Sequence, residues 1–241
     1  MLIQQLRALV YRMRRPSSDE RVTVPDDGSL SATFSRVYHS QQWGLPKPWQ
    51  RGDARFFSGP GSHNSSIVKP YVTAVREFFK MRPGLDAVDL GCGDFNIGRQ
   101  VRTRFRNYIA CDIVSELTER NRRVFAAANV DFRCLNIVDD ELPQGQVVFI
   151  RQVLQHLSNE QIAQVIAKLK GFDFLVLTEH LPSTTDFVPN LDHVAGSGLR
   201  LASNSGVVLT EPPFRLQFRS HWRLCEVSQF GGIIRTDAYE L

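Results

Sequence analysis

The sequence predicts an α/β protein: a doubly wound, mostly parallel seven-stranded sheet with a closing antiparallel hairpin, preceded by an N-terminal cap. Three observations carry that expectation. From about Leu85 to His180, short apolar segments alternate with helical stretches; those segments are nearly continuous in Val, Ile, Leu and Phe; and beyond Asp186 the pattern becomes one-in-two alternation. With 241 residues, 42% of them hydrophobic, the chain has enough apolar material for one packed core. The expected organisation is a single domain of residues 1–241, with a cap or lid over 1–64, a ligand-binding core over 65–180, and a substrate-side loop with closing strands over 181–241.

The elements follow in order. At the start, Leu2, Ile3, Leu6, Leu9, Val10 and Met13 interleave with Gln4, Gln5, Arg7 and Arg12, which suits an amphipathic helix rather than a secretion signal. Residues 16 to 64 carry Pro, Gly and Ser among Trp43, Trp49, Phe56 and Phe57, a composition that fits an ordered cap better than a flexible linker. From Ser66 to Lys80 one face is apolar through Ile67, Val68, Tyr71, Val72, Val75 and Phe78, and Pro83-Gly84 stops the helix. Strands are expected at Ala87–Leu90, Tyr108–Asp112, Val130–Leu135, Gln146–Arg151 and Phe172–Glu179, each apolar and bounded by turn residues. Ser158 and Gln161 have the spacing of a capping box that opens a helix ending near Lys170. Leu216, Phe218, Trp222 and Leu224 alternate with polar residues, Gly231-Gly232 offers a turn, and Ile233 to Tyr239 returns. Residues 181 to 215 are left as a long loop above the strand ends.

Composition excludes several classes. No apolar run approaches the roughly 20 residues of a membrane-spanning helix, so at most peripheral membrane contact is expected, and the expected address is the cytoplasm. Cys92, Cys111, Cys134 and Cys225 match neither a paired zinc-ligand pattern nor a dense disulfide framework. A net charge of +4 is mild for this length, so no stable nucleic-acid partner is expected. Arg99, Arg102, Arg104 and Arg106 read as the solvated face of a helix.

The informative run is Ala87-Val88-Asp89-Leu90-Gly91-Cys92-Gly93-Asp94-Phe95-Asn96-Ile97-Gly98, a strand leading through a glycine turn into a helix. Gly91 and Gly93 let backbone approach a ligand. A dinucleotide fingerprint fails, because Asn96 stands where the third glycine is needed, and no G-K-[ST] phosphate loop occurs. Asp89, two residues before the first glycine, would repel a pyrophosphate and could hold an ammonium group. Asp112, 21 positions after Gly91 at the end of the second strand, is placed to accept both hydroxyls of a ribose. Together these two carboxylates describe an adenosyl ligand with an amino-acid tail.

The motif resembles that of class I S-adenosylmethionine-dependent methyltransferases, whose first motif is a hydrophobic strand followed by D/E-x-G-x-G; the likeness covers about Leu85 to His180. It implies S-adenosyl-L-methionine as cofactor, with Asp89, Gly91 and Gly93 at the methionyl part, Asp112 at the ribose, Ile113, Asn136 and Ile137 at the adenine, and Arg151 on the wall after the fourth strand. The sequence departs from the pattern at Phe95, where the motif has a glycine, and at Asn136, where it has an acid. Trp43-Gly44, Gly59-Pro60-Gly61-Ser62, GCGDFN and Arg151 to Ser158 further resemble small bacterial methyltransferases of surface-glycan and nodulation-signal loci. In that group an acid commonly stands at the place of Gln152.

Transfer of a methyl group to a hydroxyl needs an aligned acceptor and a base. His180 and His156, at the ends of the fifth and fourth strands, and Asp192, beside His193 in the loop, are the catalytic candidates; His39, His63 and His221 have weaker claims. Asp192 with Glu179 and His180 offers a divalent-metal alternative, but the spacing is loose and solvated loop acids are commoner, so no metal site is expected. The expected reaction is O-methylation of a sugar hydroxyl on a glycolipid, an oligosaccharide or a lipo-chitooligosaccharide signal. Methylation of RNA or protein, and a non-catalytic cofactor-binding module acting through partner contact, are the alternatives.

Overall fold

A computed structural model of the chain describes residues 27–46 and 54–241. The amphipathic segment at the start and Trp49 lie outside the described residues. Seven strands form one sheet in the order β3-β2-β1-β4-β5-β7-β6, with β1 at Ala87–Leu90, β2 at Tyr108–Asp112, β3 at Asp131–Cys134, β4 at Val147–Arg151, β5 at Phe174–Pro182, β6 at Ser220–Gln229 and β7 at Gly232–Glu240. The first five pair in parallel, and β7 runs antiparallel between β5 and β6. The strand order reverses direction between β1 and β4, so the carboxyl ends of these two strands open a crevice there.

Both sheet faces are covered, which explains the continuous apolar strands: every residue of β1 is buried. On one face lie helix α1, Leu30–His39, and helix α4, Asn159–Ala167, through Phe34, Val37, Tyr38, Ile162 and Val165. Helix α3, Ser115–Val124, packs on β2 and β3 with Leu117 buried. Helix α2, Ser65–Phe78, covers the other face through Val68, Tyr71, Val72 and Val75. Ser158 caps α4 by the expected capping box with Gln161.

Three expectations are corrected. Helix α1 falls inside the segment read only as an irregular cap; Phe34, Val37 and Tyr38 repeat at helical spacing behind the Ser29 cap, but with too few apolar residues to stand out from the surrounding Pro and Gly. The helix carrying the arginine cluster is broken into short turns at Gly98–Val101 and Arg102–Arg104. Its arginines are not simply a solvated face: Arg102 donates to the carbonyls of Ala128 and Asn129, and Arg106 pairs with Asp86.

The turn after β1 holds Gly91, Gly93 and Phe95 in the left-handed region, with φ of 76°, 56° and 62°. A bulky side chain is uncommon there. Phe95 is fully buried and packs edge-on against Phe132 and Phe125, with ring centroids 4.9 and 5.2 Å away. Its aromatic packing offsets a backbone cost on the order of 1 kcal/mol. Phe95→Gly restores the motif's glycine and relieves the backbone, yet it is expected to destabilise the protein by about 2 kcal/mol or more in a denaturant titration, because losing a buried aromatic costs about 3–5 kcal/mol. A variant as stable as the parent would show that the ring adds nothing.

Candidate active site

The crevice deepens into a cavity of about 580 Å³. Its floor is the glycine turn, and a Cβ on Gly91 would meet Val153 at 2.4 Å, one on Gly93 the Ser58 hydroxyl at 2.4 Å, so bare backbone is required at both places. Asp112 accepts from the Gly93 and Val114 amides at 3.0 and 3.1 Å and faces the cavity. Burial pushes its carboxyl up to about 6, against the pull of those amides. Ile113, Leu135, Asn136, Ile137 and Val138 continue this wall. The Asn136 side chain is engaged locally, donating to Asp139 at 2.6 Å and accepting from the Val138 amide at 3.0 Å.

The cap closes the opposite side. Ser58 accepts the Asp94 amide at 2.8 Å and shares a hydrogen bond with the Tyr38 hydroxyl, His63 pairs with the Asp94 carboxylate, and Asn96 donates to the Ser62 carbonyl at 2.6 Å. None of these lacing contacts is visible in spacing, because their partners stand 20 to 36 positions apart. Arg151, half-buried on the wall, donates to the Gly61 carbonyl at 2.8 Å and to Gln152 at 3.0 Å, and its guanidinium lies 5.0 Å from the Tyr71 ring centre. Its Nε is buried without a partner.

Asp89 is not among the residues lining the cavity. It stands behind the glycine turn, where its carboxyl accepts from the Tyr108 hydroxyl at 3.0 Å. Burial pushes it up to about 7, with the neighbouring Asp112 charge adding to the effect.

Two of the three catalytic candidates come together. His156 and His180 both line the cavity and both are buried. The Nδ1 of His156 faces the carbonyls of Gly196 and Gly198 at 3.0 and 3.2 Å, and its ring packs 5.3 Å from that of Trp43. Burial lowers its pKa to about 4, so the ring is neutral at physiological pH. The Nε2 of His180 lies 3.1 Å from the Gln229 carbonyl, and burial lowers its pKa too. Asp192 is corrected: it is absent from the wall, and its carboxylate instead accepts the amides of Asn159 and His193, both at 2.8 Å, at the start of α4. A carboxylate is well suited to the positive end of a helix. Its pairing with Glu179 and His180 around a metal does not form; among the described residues no group of three or more metal-ligating side chains gathers.

Sequence reasoning missed Arg200. This guanidinium is buried and donates to the Leu154, Gln155 and Leu157 carbonyls of the turn that carries His156 and to the Asn159 side chain, while Nε holds the Leu191 carbonyl. The long loop thus reaches the cavity, to which it contributes Ser197 and Leu199.

Residues 87–172 match the family model described as a methyltransferase domain. Joined to the sheet order, that match gives a methyltransferase domain over these residues on the class I methyltransferase fold. Among solved structures, the chain is similar to the N-methyltransferase NodS from Bradyrhizobium japonicum WM9 in complex with S-adenosylhomocysteine, at 10% identity and a TM-score of 0.58 over 86% of this chain and 98% of the other. It is also similar to DhpI in complex with S-adenosylhomocysteine, with 14% identity, a TM-score of 0.54 and coverage of 88% and 95%. Magnesium protoporphyrin IX methyltransferase from Synechocystis PCC 6803 matches at 14% identity and a TM-score of 0.51, over 88% of this chain and all of that one. No protein in a search of curated sequences matches significantly. Among the described residues no helix is long and apolar enough to cross a membrane.

The buried ionisable groups make stability depend on pH. Glu179, held by burial at about 8 against 4.5 when free, keeps a proton in the folded chain that the unfolded chain has lost, so its contribution falls as pH rises between those values. His156, lowered to about 4 from 6.5, acts oppositely: the unfolded chain binds the extra proton, and stability falls as pH drops through that window. Glu179→Gln is expected to flatten the alkaline loss, read as melting temperatures between about pH 5 and about pH 8. An unchanged slope would show this carboxyl to be ionised in the fold.

Proposed function

We propose that the protein methylates a hydroxyl of a neutral sugar unit, on a glycolipid, an oligosaccharide or a lipo-chitooligosaccharide signal. One observation carries the reading: around His156 and His180 the cavity offers the aromatic rings of Phe34, Tyr38, Trp43 and Phe230 and the amides of Gln42, Gln152 and Gln155, while Asp112 is the sole carboxylate among the described lining residues. A protonated amine calls for an anionic partner beside it; a hydroxyl on a ring that stacks against aromatics does not. One of the similar structures is an N-methyltransferase and another acts on magnesium protoporphyrin IX, so the fold serves different acceptors and the acceptor follows from this wall.

In this reading the Gly91 and Gly93 backbone and the Arg151 guanidinium hold the methionyl part of the cofactor, Asp112 the ribose, and Ile113, Asn136 and Ile137 the adenine. The partnerless Nε of Arg151 fits a carboxylate. Asp89 acts from behind the turn, and a positive charge placed near it and Asp112 favours their ionised forms. The cofactor supplies an electrophilic methyl group on a sulfonium.

The base is assigned by tautomer. His180 donates its Nε2 hydrogen to the Gln229 carbonyl, which leaves the lone pair on Nδ1 free to take a hydroxyl proton. His156 must carry its hydrogen on Nδ1, since two carbonyls face that atom, and its remaining lone pair lies 3.2 Å from the Gln155 amide. His180 is therefore the proton acceptor, and His156 shapes the wall.

Addition of S-adenosylmethionine is expected to raise the melting temperature, because a ligand that binds only the folded form stabilises it; no shift at millimolar ligand would remove the reading. His180→Ala is expected to keep cofactor affinity in calorimetry while transfer of labelled methyl to neutral glycans drops about 100-fold or more. Labelling of RNA or protein in preference to glycans would overturn the acceptor assignment.

A further inference from the structure

Among the described residues, three buried polar atoms without a hydrogen-bond partner belong to side chains on the cavity wall: the donors Trp43 Nε1 and Arg151 Nε, and the acceptor Gln155 Oε1. Arg151 has an occupant in the cofactor's carboxylate. Trp43 and Gln155 have none, and both touch His156, Trp43 through ring packing at 5.3 Å and Gln155 through its amide at 3.2 Å.

The imidazole dictates which end of the Gln155 amide is left open. Because Nδ1 of His156 faces the carbonyls of Gly196 and Gly198, it must be the protonated nitrogen, and Nε2 must carry the lone pair. A lone pair accepts only the amide NH2; the reversed amide would set two acceptors against each other. Nε2 of Gln155 is thereby committed, and Oε1, in a side chain 4% exposed, is left unsatisfied. Trp43 Nε1 is a donor only. A buried donor and a buried acceptor, on side chains that both touch one ring, carry a desolvation cost that a ligand group can remove.

We propose that Trp43 Nε1–H and Gln155 Oε1 form the specificity-determining pair of the acceptor site, receiving a group that offers both a hydrogen-bond acceptor and a donor. An acetamido substituent offers both, its carbonyl to Trp43 and its N–H to Gln155; so do two neighbouring ring hydroxyls. The pair deepens the sugar-methylation reading and rests on it. A site built to meet such groups rejects analogues that lack them, because its own polar atoms then stay unpaired. His156 is a positioning residue here: it orients the amide and packs on the indole.

The test compares the full-length protein with Trp43→Phe, which keeps an aromatic ring and removes the N–H, and with Gln155→Met, which keeps the length and removes the acceptor. Tetra-N-acetylchitotetraose and maltotetraose are the probes, titrated calorimetrically in the presence of S-adenosylhomocysteine, with labelled-methyl transfer measured separately. Binding of the acetylated probe alone assigns the acetamido group, and binding of both assigns neighbouring hydroxyls. Each substitution is expected to weaken sugar binding about tenfold, with S-adenosylhomocysteine affinity unchanged. Sugar affinity unaltered by both substitutions, or neither sugar bound by the parent protein, overturns the pair. Sugar bound and lost in the variants, with no methyl transferred by the parent protein, overturns O-methylation and leaves the pair standing.

Discussion

The left-handed turn after β1 is the constraint on which the rest of the site depends. Its backbone passes through three left-handed residues within five positions and is pinned from three directions: Asp112 takes the Gly93 amide, Asn121 donates to the Gly93 carbonyl at 2.7 Å, and Ser58 of the cap takes the Asp94 amide. Each pin comes from a different element, β2, α3 and the cap. Forming the turn therefore brings the ends of the first two strands, a helix and the cap into register, and the hollow between them is a by-product of that agreement. Phe95 shows how strongly the turn is imposed, since a residue ill suited to its backbone is accommodated there by aromatic burial.

Electrostatically, the cavity is divided in two. Among the described lining residues the one carboxylate and the one guanidinium, Asp112 and Arg151, sit at the glycine-turn end; the other end is furnished with amides, hydroxyls and imidazoles whose pKa values burial lowers. Water competes poorly for groups in such surroundings, so each hydrogen bond made there carries more weight than at the surface. The division matches a charged donor and an uncharged acceptor.

Much of this was legible in the chain. The five apolar strands, the capped helix and the closing hairpin follow from periodicity, because tertiary packing rewards the same residues that local pattern selects. Asp112 and the two glycines follow from spacing along a strand-turn-helix unit. What spacing cannot show is the direction of a side chain at a strand end: Asp89 lies one residue from the turn and still faces away from the hollow, and Asp192 beside a histidine serves the start of a helix. The pairing of Trp43 with His156 joins residues 113 positions apart, and Arg200 reaches the same turn from a loop with no periodicity at all. Loop residues find partners through the finished fold, so no local pattern announces them.

Arg200 sets an order of events. The turn Leu154–Leu157 turns three carbonyls toward a guanidinium that lies more than forty residues later in the chain, at the near end of a segment that also supplies the carbonyls for the His156 ring. As the chain emerges from the ribosome, the glycine turn has all its strands and pins before this guanidinium exists. The wall around His156 does not. The hollow is thus assembled from the glycine turn outward, and it is closed only when the last quarter of the chain has folded back.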